Sequence, residues 1–299
     1  MWEQLLKTLS DSDYKSLARS ISLVENEVEG YDVFLQQLPQ TNTGITGITG
    51  PPGAGKSTLT DALIGAYVAE GKKVAVLCVD PSSPFNMGAL LGDRIRMSDW
   101  YNHPNVFIRS LASRGSMGGL HPNIIEVTDL VKAAGFDRVI VETVGVGQSE
   151  IEIAGLADTT VVVLVPEAGD EVQTMKSGLM EIADIFVVNK ADRPGAAAFV
   201  KNLLQMLAPA FHHHSDEIPV LKTIASQKEG IEALKEKIDA AHLQKSNDKK
   251  LWLLAEKAYH LIRNGRMKDI SKKELKDAIA AQQKDFNLYR FVKEKIKGE

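Results

Sequence analysis

Gly50-Pro51-Pro52-Gly53-Ala54-Gly55-Lys56-Ser57 fits the pattern G-x-x-x-x-G-K-[ST]. Its flanks decide how the chain folds. Ahead of it, the run from Gly44 to Gly50 reads as a strand, and behind it Lys56 opens a helical stretch. Strand, glycine-rich turn and helix in that order make a phosphate cradle. Glycines at 53 and 55 let backbone amides turn inward, Lys56 neutralises the β- and γ-phosphates, and the Ser57 hydroxyl can ligate Mg²⁺. Thr58 carries the cradle into the first helical turn, whose positive end adds to the attraction for an anion.

Outward from the cradle, short β-rich runs alternate with helical segments. The spacing predicts strands at Gly44 to Gly50, Val74 to Asp80, Val106 to Leu111, Arg138 to Thr143, Thr160 to Val165, Ile185 to Asn189 and Val220 to Ile224. Most are unbroken apolar runs, so both sheet faces should be covered. Helices are expected from about Lys56, His121, Ser149, Glu171, Pro194 and Gly230, and right-handed crossovers then give an α/β doubly wound, mostly parallel sheet flanked by helices. Residues 1 to 40 read as an N-terminal helical extension, with Leu5, Leu6 and Leu9 on one face, Ser10 or Asp11 as a cap, and Leu17, Ile21 and Val24 continuing the stripe. From residue 245 to 299 strand signals cease. Leu251, Leu254, Ala255, Ala258 and Leu261 recur at helical spacing, and Asn264-Gly265 should mark a turn between helices of a C-terminal arm.

Other strand ends decide which nucleotide is bound. Glu142 closes an apolar strand and precedes Thr143-Val144-Gly145, which makes Glu142 a magnesium-side carboxylate and Gly145 a γ-phosphate sensor, or else leaves Glu142 as a solvent-facing strand end. Asp80, followed by Pro-Ser-Ser-Pro, is a second candidate acid. Asp93 is a third, although its spacing equally allows a helix cap or an ion pair. Gln148 stands where a water-orienting side chain would, or simply begins the next helix.

Asn189-Lys190-Ala191-Asp192 follows a strand and reads N-K-x-D. The Asp192 carboxylate can accept from guanine N1–H and the 2-amino group, Asn189 can bond near N7, and the Lys190 stem can lie along the base. Adenine offers an acceptor at N1, which leaves the same carboxylate unpaired. Ala225 and Ser226, after the next strand, could present a backbone amide to O6. Together these residues indicate GTP rather than ATP, and residues 41 to 244 read as a P-loop GTPase domain.

The composition fits that reading. With 44% hydrophobic and 25% charged residues among 299, the chain can bury a full core and is not a low-complexity or disordered sequence. Cys78 is the only cysteine, which excludes an internal disulfide or a Cys-x-x-Cys centre within one chain. The first residues lack a basic, apolar leader and no run approaches a membrane span, so a cytoplasmic protein is expected. The net charge of -4 divides into +7 from Lys245 onward and -11 before it. Because the C-terminal cations alternate with acids and apolar residues, they read as a solvated helical face and not as a nucleic-acid tail.

The stretches GPPGAGKST, VDPSSP, GDRIRM, SRGSMGG, ETVGVGQSE, PEAGDEVQTMK and EIADIFVVNKAD resemble the MeaB/ArgK family, GTPases associated with methylmalonyl-CoA mutase, over about residues 40 to 245. The resemblance implies a GTP-hydrolysing chaperone of an adenosylcobalamin-dependent acyl-CoA mutase, gating cofactor loading, protection or reactivation. Cobalamin would then be met only through the partner. It also implies that Asp80, Asp93 and Glu142 surround Mg²⁺, and that Gly169 to Lys176 is a switch with Gln173 and Lys176 reaching the nucleotide. Ile224 departs from the family, where Ser commonly precedes the Ala.

Other readings compete. A nickel-insertion GTPase would share the site but lacks its Cys/His ligand pairs here, and a P-loop small-molecule kinase is disfavoured by N-K-x-D. His212-His213-His214 point in different directions without a spaced partner, which suits a polar loop better than a metal site. The C-terminal stripes have no sheet left to cover, so they should pair with a second copy as a homodimer.

Overall fold

The computed structural model describes residues 1–9, 13–80, 97–113, 120–143, 152–168, 180, 182–207, 218–243, 247–281 and 286–297. These divide into two compact units, Met1–Lys250 and Leu251–Glu299.

The first unit is built on seven parallel strands: β1 Gly44–Thr49, β2 Val74–Asp80, β3 Val106–Ala112, β4 Arg138–Glu142, β5 Thr159–Leu164, β6 Ile185–Val188 and β7 Val220–Lys222. Their spatial order is β3-β2-β4-β1-β5-β6-β7. The chain therefore leaves β1 toward one edge, returns through β4, and builds the other half from β5 onward. Ligands in such sheets bind beyond the carboxyl strand ends near this reversal, and there the glycine-rich turn follows β1.

Every residue of β2, β5 and β6 is buried, as unbroken apolar runs require. On one face Ile48, Val76, Cys78, Ile140 and Val163 pack with helix α4 (Lys56–Ala69) and helix α7 (Ile231–Leu243). On the other, Ile45, Leu77, Val79, Val139 and Val141 pack with helix α5 (Ile124–Ala133) and with the first helices, α1 (Trp2–Leu9), α2 (Tyr14–Glu25) and α3 (Tyr31–Gln36). Helix α6 (Ala196–Leu207) covers the β5–β6 half through Phe199, Leu203 and Leu207.

The N-terminal helices are part of this core. Leu5, Leu9, Leu17, Ile21, Val24 and Phe34 are all buried in the same cluster as the strands. The cap of α2 is Asp13, not Ser10 or Asp11: its carboxylate accepts from the Lys15 and Ser16 amides at 3.1 and 3.3 Å. Asp13 immediately precedes the first helical residue, the position from which a side chain reaches the amides two and three residues on. Ser10 and Asp11 lie outside the described residues.

The second unit contains helix α8 (Asn247–Arg266, beginning just before it), α9 (Lys272–Ala281) and α10 (Leu288–Lys297). Asn264-Gly265 does not end α8, which continues to Arg266 before a turn. The Met267 amide still reaches the Arg263 carbonyl at 3.1 Å, so the last turn closes around the glycine at a helix-propensity cost of about 1 kcal/mol. The helices expected near Ser149 and Glu171 lie outside the described residues.

Candidate functional site

The cradle forms because β1 delivers the chain into a turn only glycine tolerates. Gly50 has φ +139°, and a Cβ there would stand 2.1 Å from the Val163 carbonyl oxygen of β5. Gly55 caps α4 at φ +88°, where a Cβ would lie 2.5 Å from Asn189 Nδ2. Substituting either glycine would push the turn off β5 or break its contact with the β6 loop. The α4 amides open beyond this turn, an arrangement suited to an anion.

Lys56 is buried, and its Nζ donates to the Gly50 and Pro51 carbonyls at 2.9 and 3.1 Å. These bonds hold the ammonium across the mouth of the turn, beside the place where phosphate oxygens would compete for it. Ser57 donates to Glu142 Oε1 at 2.6 Å, and Thr60, also buried, lies 2.9 Å from Glu142 Oε2. Glu142 is 3% exposed, so both hydroxyls serve a carboxylate withdrawn from water.

Asp80 and Glu142 are on the same side of the sheet. Glu142 sits opposite Cys78 in the β2–β4 register, and Asp80 is two residues beyond Cys78, so all three face α4. Both acids are buried at carboxyl strand ends. Among the described residues no three His, Cys, Asp or Glu side chains gather into a metal-binding group. Hard oxygens from one hydroxyl and one or two carboxylates, with phosphates and water completing the shell, are the donors Mg²⁺ takes. The residues present fit that ion.

On the other side of the cradle, Asn189 is 2% exposed and joins three segments. Its Nδ2 donates to the Ala54 carbonyl at 2.9 Å, while its Oδ1 accepts from Thr223 Oγ1 and the Ala225 amide, each at 3.1 Å. Lys190 takes φ +55° and donates to the Gly53 carbonyl at 2.7 Å. The Ala191 amide bonds to the Thr223 carbonyl at 3.1 Å, and Asp192 is exposed at the rim. Arg193 pairs with Glu167 beyond β5, and its hydrogen bond holds the Glu167 carboxyl below the usual range.

Sequence spacing thus brings Gly50, Pro51, Pro52, Gly53, Ala54, Gly55, Lys56, Ser57 and Thr58 into one turn with Glu142 beside it and Asn189 and Lys190 behind it. The Asn189 amide donates one of its two N–H groups to the Ala54 carbonyl, and the Ala225 amide donates to Asn189. Thr60 and Thr223 were not singled out by motif, although Thr60 stands three residues after Ser57 on the same helix face. Asp93, Gly145, Gln148, Gln173, Lys176 and His212 to His214 lie outside the described residues.

Comparison with known proteins agrees with this geometry. Residues 17–282 match the family described as methylmalonyl Co-A mutase-associated GTPase MeaB. A Pyrococcus abyssi protein named as a GTPase is 45% identical over 284 residues, covering 93% of this chain and 83% of its own. The fused isobutyryl-CoA mutase of Geobacillus kaustophilus is 39% identical over 237 residues, 74% of this chain but 22% of that protein. Among solved structures, that of an LAO/AO transport system kinase superposes with a TM-score of 0.70 at 28% identity, covering 94% of this chain and 87% of the other.

Proposed function

The chain belongs to the methylmalonyl Co-A mutase-associated GTPase MeaB family, and from that premise we propose that it is a GTP-hydrolysing chaperone of an adenosylcobalamin-dependent acyl-CoA mutase. Cobalamin enters only through that partner. The observation that carries the mutase assignment is the Geobacillus relative, in which a segment 39% identical to this chain is part of a protein named as a fused isobutyryl-CoA mutase. Covalent fusion keeps two modules at high effective concentration, which suits partners that act together. A cytoplasmic setting fits, since no described helix is long and apolar enough to cross a membrane and the lone Cys78 is a buried free thiol.

In this reading the P-loop wraps the phosphates, and Lys56 exchanges its two carbonyl partners for β- and γ-phosphate oxygens. Ser57, Glu142 and Asp80 would hold Mg²⁺, which when bound would neutralise charge on the phosphates; Asp93 would join them on the family resemblance. Water attacks the γ-phosphorus, the bond to the β-phosphate oxygen breaks, and GDP and inorganic phosphate leave. Phosphoryl transfer of this kind depends on positioning and charge neutralisation. Gly145 senses the γ-phosphate, Gln148 orients the water, and Gln173 and Lys176 belong to a switch that a docked mutase reorders. Asp192 reads guanine N1–H and the 2-amino group, while Asn189 keeps the base loop attached to the cradle. The C-terminal helices join two copies.

The test is GTP turnover with and without an adenosylcobalamin-dependent acyl-CoA mutase. We expect stimulation by the mutase that Lys176→Ala largely loses while keeping its basal rate, since a contact made only in the complex affects only that state. Inorganic phosphate should equal GDP formed, which distinguishes hydrolysis from phosphotransfer to a small molecule. Absence of stimulation by any such mutase would remove the partner.

A further inference from the structure

We propose that Thr60 is a positioning residue for the acid on the magnesium side of the phosphate site, an inference that rests on the assignment of Glu142 and Ser57 to that side. Thr60 is fully buried on α4, one turn beyond Lys56. Its hydroxyl lies 2.9 Å from Glu142 Oε2 and 3.0 Å from the Lys56 carbonyl. One hydroxyl carries one proton, so the two acceptors compete for it. A carbonyl inside a helix is served by the backbone ladder, whereas the carboxylate is charged and withdrawn from water. The carboxylate is the stronger claimant.

The consequence is geometric. Ser57 holds Oε1 and Thr60 holds Oε2, both from the same helix. The last torsion of a glutamate side chain is soft, with a broad distribution of angles. Anchoring both oxygens removes that freedom and fixes which lone pairs remain for a cation or its bound water. Thr60 touches neither substrate nor metal in this scheme and acts only by keeping Glu142 aimed. A threonine that merely bonded the carbonyl four residues back would be a common helix feature without bearing on a cation.

The two roles separate when GDP affinity of the full chain is measured by calorimetry in EDTA and across a series of Mg²⁺ concentrations. Thr60→Val keeps the shape and removes the donor. It should raise the Mg²⁺ concentration for half-maximal tightening by about tenfold, the scale seen when a partner of a metal ligand is lost, and leave affinity in EDTA within about twofold. Thr60→Ser should restore the Mg²⁺ response. If Thr60→Val fails to fold, Thr60→Ala, which only removes atoms, carries the same comparison. An unchanged Mg²⁺ midpoint, or equal losses with and without Mg²⁺, would overturn the role of Thr60. A wild-type chain whose GDP affinity ignores Mg²⁺ would instead remove the underlying assignment, and Thr60 with it.

Discussion

The Asn189 side-chain amide donates to the Ala54 carbonyl across 2.9 Å, which makes the loop after β6 and the phosphate turn one hydrogen-bonded unit. Its other end takes two donors from the segment after β7, so a single buried residue connects three loops. Asn189→Ala leaves Ala54, Thr223 and Ala225 without these bonds. Orphaning buried groups of this kind costs about 1 to 3 kcal/mol each unless water replaces the partner. We expect both a lower denaturation midpoint and weaker GDP binding. Asn189→Asp should weaken binding as well, because an oxygen then faces the Ala54 carbonyl. Wild-type GDP affinity in either variant would show that the loops do not need this connection.

Asp192 is exposed at the rim and reads the base only if its carboxylate is an acceptor. Asp192→Asn replaces one acceptor oxygen with a donor, which suits xanthine, whose C2 carries a carbonyl in place of the amino group. The variant should lose GDP affinity and gain xanthosine diphosphate affinity, with competition binding as the measurement. A variant that still prefers GDP as the wild type does would sink the guanine contact.

Much of this site was legible because buried parallel strands are short apolar runs and their ends carry the chemistry. All seven strands fall within two residues of the expected bounds. The polar pairings were not legible: Thr60 meets Glu142 across 82 residues of sequence and Thr223 meets Asn189 across 34, and no local period encodes such partners. The first helices show the same limit. Their apolar stripe was readable, but not that it would be buried against Val139 and Val141 in the main core. Asn264-Gly265 misled because a turn signal near a helix end fixes the end only to within a few residues.

Far from the phosphate turn, Glu70 at the end of α4 is paired with Lys235 of α7 and, at 2.8 Å, with Lys72. Hydrogen bonds from Lys235 and then Lys72 pull its pKa from 4.5 down to about 2. A carboxyl whose folded value lies below its unfolded value favours the native state fully above about 4.5 and loses that contribution as pH falls toward about 2. Glu70→Gln has no such proton to gain. Between about pH 6 and about pH 3 its urea midpoint should fall less than that of the wild type, with the difference shrinking in high salt because the group is solvent-exposed. Parallel loss in the two proteins would mean the pairing does not couple α4 to α7.

The second unit leaves apolar side chains in water. Trp252 is 71% exposed, Tyr259 64%, Tyr289 84% and Ile296 80%, and Phe291 is the one buried apolar side chain among its described residues. Isolated exposed apolar residues are ordinary, but several large ones on two helices, α8 and α10, lead us to expect association. Two copies of one chain can cover each other's stripes with a single self-complementary contact. Light scattering should therefore give the mass of two 32.7-kDa chains, and a chain ending at Gln244 should give one of its own. Aromatic residues dominate the energy of such contacts, so Trp252→Ala combined with Tyr289→Ala should weaken the dimer by about 2 kcal/mol or more while leaving GDP affinity intact. A monomeric full-length protein would remove the second copy, and a dimer that survives truncation would move the contact into the first unit.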